Sequence, residues 1–238
     1  MKNRLILLLL LSSFALVAQQ SAEEFKAKIK TEVKYQYLLF KASNDYHAKD
    51  GKFPLLIFLH GSGERGTDIS LVKKHGPPKM VEEQDNFPFY VLSPQCPTGQ
   101  RWDALGVKAL IDKIVKDNPI DKNRIYLTGL SMGGFGTWDL AIKYPDYFAA
   151  IAPVCGGGFV HAFQAEQIKH LPIWVFHGAL DNVVPVESSV RIVRALEALE
   201  ADVQFTIYPK AWHDSWTETY ANDELYLWFL GHELGKKE

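Results

Sequence analysis

The sequence predicts an α/β fold in which helices flank both faces of a mostly parallel central sheet. Three observations predict this class. Strand-like apolar runs alternate with helical segments along the chain, the connections between them are short, and residues 55–59 are continuously apolar, as in a strand buried on both faces. With 238 residues and no repeat, low-complexity tract or linker, we expect one such domain over residues 21–238.

The first 20 residues differ from the rest of the chain. Lys2 and Arg4 precede an apolar run at 5–11 that continues to Ala18, after which the chain becomes polar. This pattern predicts a signal peptide at residues 1–20 and a secreted or periplasmic protein without membrane contact after cleavage. An uncleaved anchor is the alternative, although the run is shorter than the roughly 20 residues that span a bilayer.

The composition and charge of the chain limit the kinds of partner that it is expected to bind. A net charge of -2, a charged fraction of 23% and the lack of a basic cluster argue against nucleic acid and anionic membranes. Cys96 and Cys155 follow predicted strands that are not neighbours, so we expect two buried thiols and no disulfide. No metal site is expected, since neither His-x-x-x-His nor Cys-x-x-Cys spacing occurs, and no cofactor is expected. The oligomeric state is not predicted.

The alternation of patterns assigns the elements. Strands are predicted at 35–40, 55–59, 89–92, 125–127, 149–154, 173–176 and 203–208. A short helix is predicted within 68–84, interrupted by Pro77 and Pro78. Further helices are predicted at 102–116, after residue 131, around 163–169, at 187–200 and at 218–234.

Residues 129–133, Gly-Leu-Ser-Met-Gly, form a G-x-S-x-G pattern. Alone it is unspecific, because a serine between glycines usually marks a surface turn. Here it lies between a predicted strand and a predicted helix, which favours a nucleophile elbow with Ser131 on a strained turn. Side chains at Gly129 and Gly133 would collide where the strand and the helix pass closely.

A serine nucleophile needs a base within hydrogen-bonding reach. His213 follows the last strand, on the loop that enters the closing helix, and is our candidate base. A solvated loop histidine is the simpler alternative. His60 and His177 each precede a glycine at a strand end, where a histidine more often shapes the loop, and they are the less favoured candidates.

The orienting acid is expected between serine and histidine in the chain. Asp181 follows the strand at 173–176 and is our candidate, although an Asp before Asn is also typical of a turn. Asp214 is the alternative, but its position beside His213 aims it poorly at that ring.

An oxyanion needs two donors. The backbone N–H of Met132, after the nucleophile, is predicted to be one. The second is expected from the glycine-rich loop after residue 59, at the N–H of Ser62, with Gly63 as the alternative donor. We assign Gly63 and Trp102 to the substrate pocket, although Trp102 could equally begin the helix at 102–116.

Six segments together resemble the secreted single-domain esterases of the α/β-hydrolase superfamily. They are residues 60–66, 93–97, 129–138, 155–158 and 215–220 and the Asp181 turn. These are relatives of feruloyl and acetyl-xylan esterases and of prolyl-oligopeptidase-like catalytic domains. The resemblance implies that Ser131, Asp181 and His213 form a catalytic triad and that the fold is that of an α/β-hydrolase.

The segment at 156–171 is too short for a large cap domain, so we expect an open site. An open site suits short acyl or aryl esters, including acyl groups on plant polysaccharide, better than bulk lipid. The sequence therefore predicts a serine carboxylesterase that acts on small or polysaccharide-linked esters. The alternatives are a serine peptidase of the prolyl-oligopeptidase-like type and a non-catalytic binding module on a hydrolase fold.

Overall fold

The structure is a computed structural model that describes residues 32–42, 48–83 and 86–235. Contacts group Val33–Glu238 into one compact unit. The predicted signal peptide at 1–20, the segment that follows it up to residue 31, and the first half of a predicted turn at 44–51 lie outside the described residues. Among the described residues, no helix has the length and apolar character that a bilayer span requires.

One sheet runs through the molecule, in the strand order β1-β3-β2-β4-β5-β6-β7. Its strands are β1 (Gln36–Phe40), β2 (Phe53–Leu59), β3 (Tyr90–Gln95), β4 (Ile120–Leu130), β5 (Ala150–Val154), β6 (Ile173–Gly178) and β7 (Val203–Tyr208). β1 pairs antiparallel with β3, and all other pairings are parallel. The predicted class, a mostly parallel sheet flanked by helices, is confirmed.

Helices cover both faces of this sheet. They are α1 (Pro77–Met80), α2 (Ala104–Asp117), α3 (Met132–Lys143), α4 (Phe159–Phe163), α5 (Glu187–Glu197), α6 (Trp216–Tyr220) and α7 (Asp223–Gly231). A hydrophobic core lies on each face of the sheet, and alternate residues of β2 belong to one core or the other. Leu55 and Ile57 pack in the cluster that includes α2, α3 and α5, whereas Leu56 and Phe58 pack in the cluster that includes α6 and α7. The continuous apolar run therefore reports burial on both faces.

The parallel register aligns the carboxyl ends of the central strands. Leu59 of β2 lies opposite Gly129 of β4. Leu130 of β4 lies opposite Val154 of β5, and Val154 in turn lies opposite Phe176 of β6. Loops that leave these strands therefore meet at one edge of the sheet, where sheets of this kind build their sites.

Two predictions of element boundaries near prolines are wrong. Pro77 and Pro78 do not interrupt a helix; they begin α1, after a separate 3₁₀ segment at Ile69–Lys74. A proline suits the first helical turn, because the N–H that it lacks would have no acceptor there. The strand predicted to end at residue 92 continues through Pro94, which lies beyond Tyr90–Leu92, the part of β3 that pairs with β2. Its missing N–H removes no bond from that pairing.

Helix details also differ from the predictions. The helix predicted at 102–116 begins two residues later, at Ala104, and it buries Val107, Ile111 and Ile114 while Leu105 is 57% exposed. The helix predicted around 163–169 is replaced by α4 and a 3₁₀ turn at Ala165–Ile168. The predicted closing helix is two helices, α6 and α7. They are separated at Asn222, whose side chain caps α7 by accepting from the N–H of Glu224 at 3.0 Å.

Candidate active site

The turn between β4 and α3 carries Ser131 in a strained backbone conformation. Its φ of 50° and ψ of -114° lie outside the regions that L-residues ordinarily occupy. The backbone N–H of Ser131 donates to the carbonyl of Val154 on the neighbouring strand at 2.9 Å. This strand, sharp turn and helix have the geometry of a nucleophile elbow, which holds the serine hydroxyl away from the backbone.

Gly129 and Gly133 allow that turn because both lie against backbone atoms. A Cβ at Gly129 would come within 2.5 Å of the Gly133 carbonyl oxygen, and a Cβ at Gly133 within 1.8 Å of the Leu59 carbonyl oxygen. Backbone cannot move aside as a flexible side chain can. The collision predicted for side chains at these two positions is therefore confirmed.

Ser131, His213 and Asp181 form one hydrogen-bonded row. The Ser131 Oγ lies 2.9 Å from Nε2 of His213, and Nδ1 of the same ring lies 2.7 Å from Oδ2 of Asp181. Because a carboxylate only accepts, Nδ1 carries the hydrogen, which leaves the Nε2 lone pair to accept from the serine hydroxyl. The His213 side chain is 18% exposed and that of Asp181 is fully buried.

The second oxygen of Asp181 is held by its own turn. Its Oδ1 accepts from the backbone N–H groups of Val183 and Val184, each at 2.9 Å. Burial raises the pKa of the Asp181 carboxyl. The hydrogen bonds from His213 and from the two backbone N–H groups outweigh burial, so that its pKa lies below the ordinary value. Asp181 therefore both shapes the turn and presents a charged oxygen to the imidazole.

Asp214 is not part of this row. Its side chain is exposed, and its Oδ1 accepts from the backbone N–H and the hydroxyl of Thr217 at 3.1 and 2.8 Å. Asp214 thus stabilises the start of α6, whereas the ring of His213 faces Asp181. Of the two acids that the sequence offered, the structure brings only Asp181 to His213.

The two residues whose backbone N–H groups are predicted to bind the oxyanion, Met132 and Ser62, each begin a helical segment. Met132 is the first residue of α3, and Ser62 is the first residue of a 3₁₀ turn at Ser62–Glu64. The N–H of a first helical residue has no acceptor within its helix. The close approach of Gly133 to Leu59 and His60 brings the loop after β2 against the start of α3. Gly63, like Ser62, is exposed on this loop.

His60 supports the same loop, and its ring is too deeply buried to act as the base for a bound substrate. Its Nδ1 donates to the Gly61 carbonyl at 2.6 Å, and its Nε2 accepts from the backbone N–H of Cys96 at 3.0 Å. Burial lowers the pKa of His60 to about 4, so the ring is neutral at physiological pH. The interpretation of His60 as a loop-shaping residue agrees with these contacts.

Trp102 packs against His60. Its indole N–H donates to the His60 carbonyl at 3.1 Å, the two rings meet edge to face at 4.9 Å, and only 6% of the residue is exposed. It precedes α2, which begins at Ala104. These contacts favour a packing residue before the helix over a wall of the substrate pocket.

The sequence did not predict two further supports of this loop. Arg65 donates from Nε to the Ser62 carbonyl at 3.0 Å and from Nη1 to the Gln100 carbonyl at 3.2 Å. Gln95 donates to the carbonyls of Glu64 and Asp68 at 2.9 and 2.7 Å. The bond from Arg65 to Ser62 is local, but the other three join segments 27 to 35 residues apart in the chain, which no local pattern signals.

Cys155 completes a cluster of potential metal ligands with Asp181 and His213, whose ligand atoms lie within 4.8 Å of one another. The cluster does not fit a cation well. Burial raises the pKa of the Cys155 thiol to about 12, so the metal-binding thiolate is disfavoured, and the other two groups already bond to each other. Cys96 and Cys155 are both buried and free, which confirms the prediction of no disulfide between them.

Comparisons with known proteins agree with this geometry. A 36% identity over 117 residues relates the chain to poly(3-hydroxyalkanoate) depolymerase C of Paucimonas lemoignei, covering 44% of this chain and 28% of that protein. A bifunctional acetylxylan esterase/xylanase of Neocallimastix patriciarum is 31% identical over 138 residues, covering 55% and 20% respectively. The chain thus spans between a fifth and just over a quarter of these curated relatives.

Among solved structures, one described as a thermostable esterase has a TM-score of 0.72 and 38% sequence identity. The match covers 85% of this chain and 60% of that one. A family model described as phospholipase/carboxylesterase matches residues 100–223, more than half of the chain and the segment that contains the elbow, the Asp181 turn and the His213 loop. The chain therefore belongs to the phospholipase/carboxylesterase family, within the α/β-hydrolase superfamily.

Proposed function

We propose that the protein is a serine carboxylesterase that hydrolyses short acyl or aryl esters through an acyl intermediate on Ser131. The observation that carries this proposal is the row of Ser131, His213 and Asp181, with contacts of 2.9 and 2.7 Å. A nucleophile, a base with a free lone pair and a buried acid that fixes the tautomer of the base are what acyl transfer to a hydroxyl requires.

In the proposed reaction, Ser131 Oγ attacks the ester carbonyl carbon while its proton passes to Nε2 of His213. The N–H groups of Met132 and Ser62 donate to the carbonyl oxygen as it becomes negative. When the C–O bond to the alcohol breaks, His213 returns the proton to the leaving oxygen. A water molecule then repeats the attack on the acyl group with His213 as base, which releases the acid and restores the Ser131 hydroxyl. Every proton step uses groups of this chain, so the mechanism requires neither metal nor cofactor.

The solvent-exposed entrance to the candidate site supports small or polymer-linked esters as substrates. Ser62 and Gly63 are exposed, and the connection from β5 to β6 contains only α4 and a single 3₁₀ turn. The relative named for acetylxylan supports acyl groups carried on plant polysaccharide, and the relative named for a polyester supports ester bonds within a polymer. Secretion to such a substrate remains a proposal that rests on the basic and apolar pattern of residues 1–20.

A serine peptidase is the second candidate, since the same catalytic groups cleave amides. It is less favoured because the relatives described above are named for esters, a polyester and acetylxylan. Cleavage of a proline-linked chromogenic peptide at rates comparable with those on acetyl esters would replace the esterase proposal.

Labelling with a fluorophosphonate tests whether the site reacts. We expect a single covalent adduct on Ser131 in the folded protein and none in Ser131→Ala or in heat-denatured wild type. Esterase activity should disappear with the same substitution. A folded wild-type protein that takes up no label would contradict the proposal and favour a non-catalytic binding module.

A series of p-nitrophenyl esters tests the acyl group. We expect kcat/KM to be higher for acetyl and butyryl esters than for palmitoyl esters, because the exposed loop at Ser62 and Gly63 offers no apolar lid to cover a long chain. Equal values for short and long chains would refute the preference for short acyl groups without touching the proposed nucleophile.

A further inference from the structure

A second histidine lies against the candidate acid. His177, near the end of β6, has a fully buried side chain, and its Nε2 lies 3.2 Å from Oδ2 of Asp181. The same nitrogen lies 2.8 Å from the carbonyl oxygen of Val184, and Nδ1 lies 2.8 Å from the hydroxyl of Ser189 on α5. The ring of His177 thus contacts the Asp181 turn, although none of the proposed proton transfers uses it.

These partners determine which nitrogen of His177 carries the hydrogen. The Val184 carbonyl and the Asp181 carboxylate only accept, so Nε2 is the donor, and Nδ1 of the neutral ring accepts from Ser189. Burial lowers the pKa of His177, against the opposing effect of its contacts with Val184 and Asp181. The ring is therefore a neutral, buried N–H donor.

With this contact, both oxygens of Asp181 are fully engaged. Oδ1 faces the N–H groups of Val183 and Val184, and Oδ2 faces the rings of His213 and His177. The nearby Cys155 is a neutral thiol and adds no competing charge. A carboxylate with donors on both oxygens cannot rotate without leaving a buried donor unpaired, which is unfavourable.

We propose that His177 is a positioning residue: its Nε2–H holds the Asp181 carboxylate and the Val184 carbonyl together, so that Oδ2 stays aimed at Nδ1 of His213. Ser189 fixes the tautomer that makes this possible. The inference rests on the proposed function, because it assigns a role relative to the candidate triad. It extends that function by adding to the triad a fourth side chain, one that touches no substrate.

Substitutions that differ in the donor they retain test the proposal. His177→Leu fills the space and donates nothing, whereas the amide of His177→Gln places an N–H near the position of Nε2. His232→Gln is the matched control, because His232 bonds the Trp228 carbonyl and lies 3.9 Å from Asp202, at the opposite edge of the sheet. The readouts are kcat and KM on p-nitrophenyl acetate, and the low-field proton resonance of the His213–Asp181 hydrogen bond.

For His177→Leu we expect kcat to fall about a hundredfold with KM within about twofold of wild type, because a small displacement of an orienting group lowers catalysis by that order. The low-field resonance should disappear. His177→Gln should restore the resonance and most of kcat, and His232→Gln should match wild type in both. A folded His177→Leu protein that keeps both the resonance and its kcat would overturn the proposal.

If His177→Leu does not fold, His177→Asn replaces it, since its shorter amide reaches toward Ser189 and not Asp181. A His177→Gln protein with kcat about tenfold above that of His177→Asn would support the proposal, and equal values would overturn it. The resonance does not depend on turnover. Wild type that shows the resonance but no fluorophosphonate adduct would refute the proposed function and leave the placement of Asp181 by His177 testable on the resonance alone.

Discussion

Protonation of His60 should weaken the folded protein at mildly acidic pH. The ring is 1% exposed and lies between the Gly61 carbonyl, to which Nδ1 donates, and the backbone N–H of Cys96, from which Nε2 accepts. A proton on Nε2 would replace that acceptor with a donor facing another donor. The folded state therefore resists protonation of His60, which is why its pKa falls to about 4.

The size of the effect follows from the two pKa values. An unfolded histidine has a pKa of about 6.5, so between about pH 6.5 and 4 the unfolded chain binds a proton that folded His60 does not. The free energy of unfolding is then undiminished above this range and decreases as the pH falls through it. From pH 7 to pH 5 the loss from His60 alone is about 2 kcal/mol, and the full loss, reached below pH 4, is about 3 kcal/mol.

Urea unfolding at pH 7 and pH 5, for wild type and His60→Gln, isolates this contribution. The amide offers a donor and an acceptor to the same backbone groups but does not titrate in this range. Other groups that titrate, His177 among them, are common to both proteins and cancel in the difference. We expect wild type to lose about 2 kcal/mol more than the variant. Parallel losses in the two proteins would refute the account of His60 as a neutral buried bridge.

The parts of the site that could be predicted from the sequence are those that local pattern and chain order determine. The run at 55–59 identified β2, and the glycine spacing around Ser131 identified the turn after β4. Parallel strands with short connections place their carboxyl ends at one edge, so residues after β4, β6 and β7 were expected to meet. The structure brings Ser131, Asp181 and His213 together at this edge, with the His213 ring between the other two side chains.

The contacts that support these residues were not predictable in the same way. The bond from Cys96 to His60 and that from Gln95 to Glu64 cross between neighbouring strands of the sheet, and their partners depend on strand order and register. The two histidines that precede glycines look alike in sequence. Only the structure separates them, since His60 bonds to the Gly61 carbonyl in the loop after β2 and His177 lies against Asp181.

Two further substitutions, each with a matched control, test the site. Asp181→Asn should lower kcat by about 10⁴-fold, because an amide can hold the imidazole in the wrong tautomer, whereas Asp214→Asn should stay within a few-fold of wild type; equal effects on p-nitrophenyl acetate would exclude Asp181 as the orienting acid. Gly133→Ala should destabilise the fold by at least about 3 kcal/mol, since its Cβ would lie 1.8 Å from the Leu59 carbonyl oxygen and backbone on both sides prevents relaxation. Gly231→Ala, at the end of α7 with nothing within 4 Å of the new Cβ, should stay within about 1 kcal/mol of wild type in thermal unfolding. A Gly133→Ala protein as stable as Gly231→Ala would mean that the elbow can open by the width of a methyl group, and the strained φ of 50° at Ser131 would then not be imposed by the close contact between the β2 loop and α3.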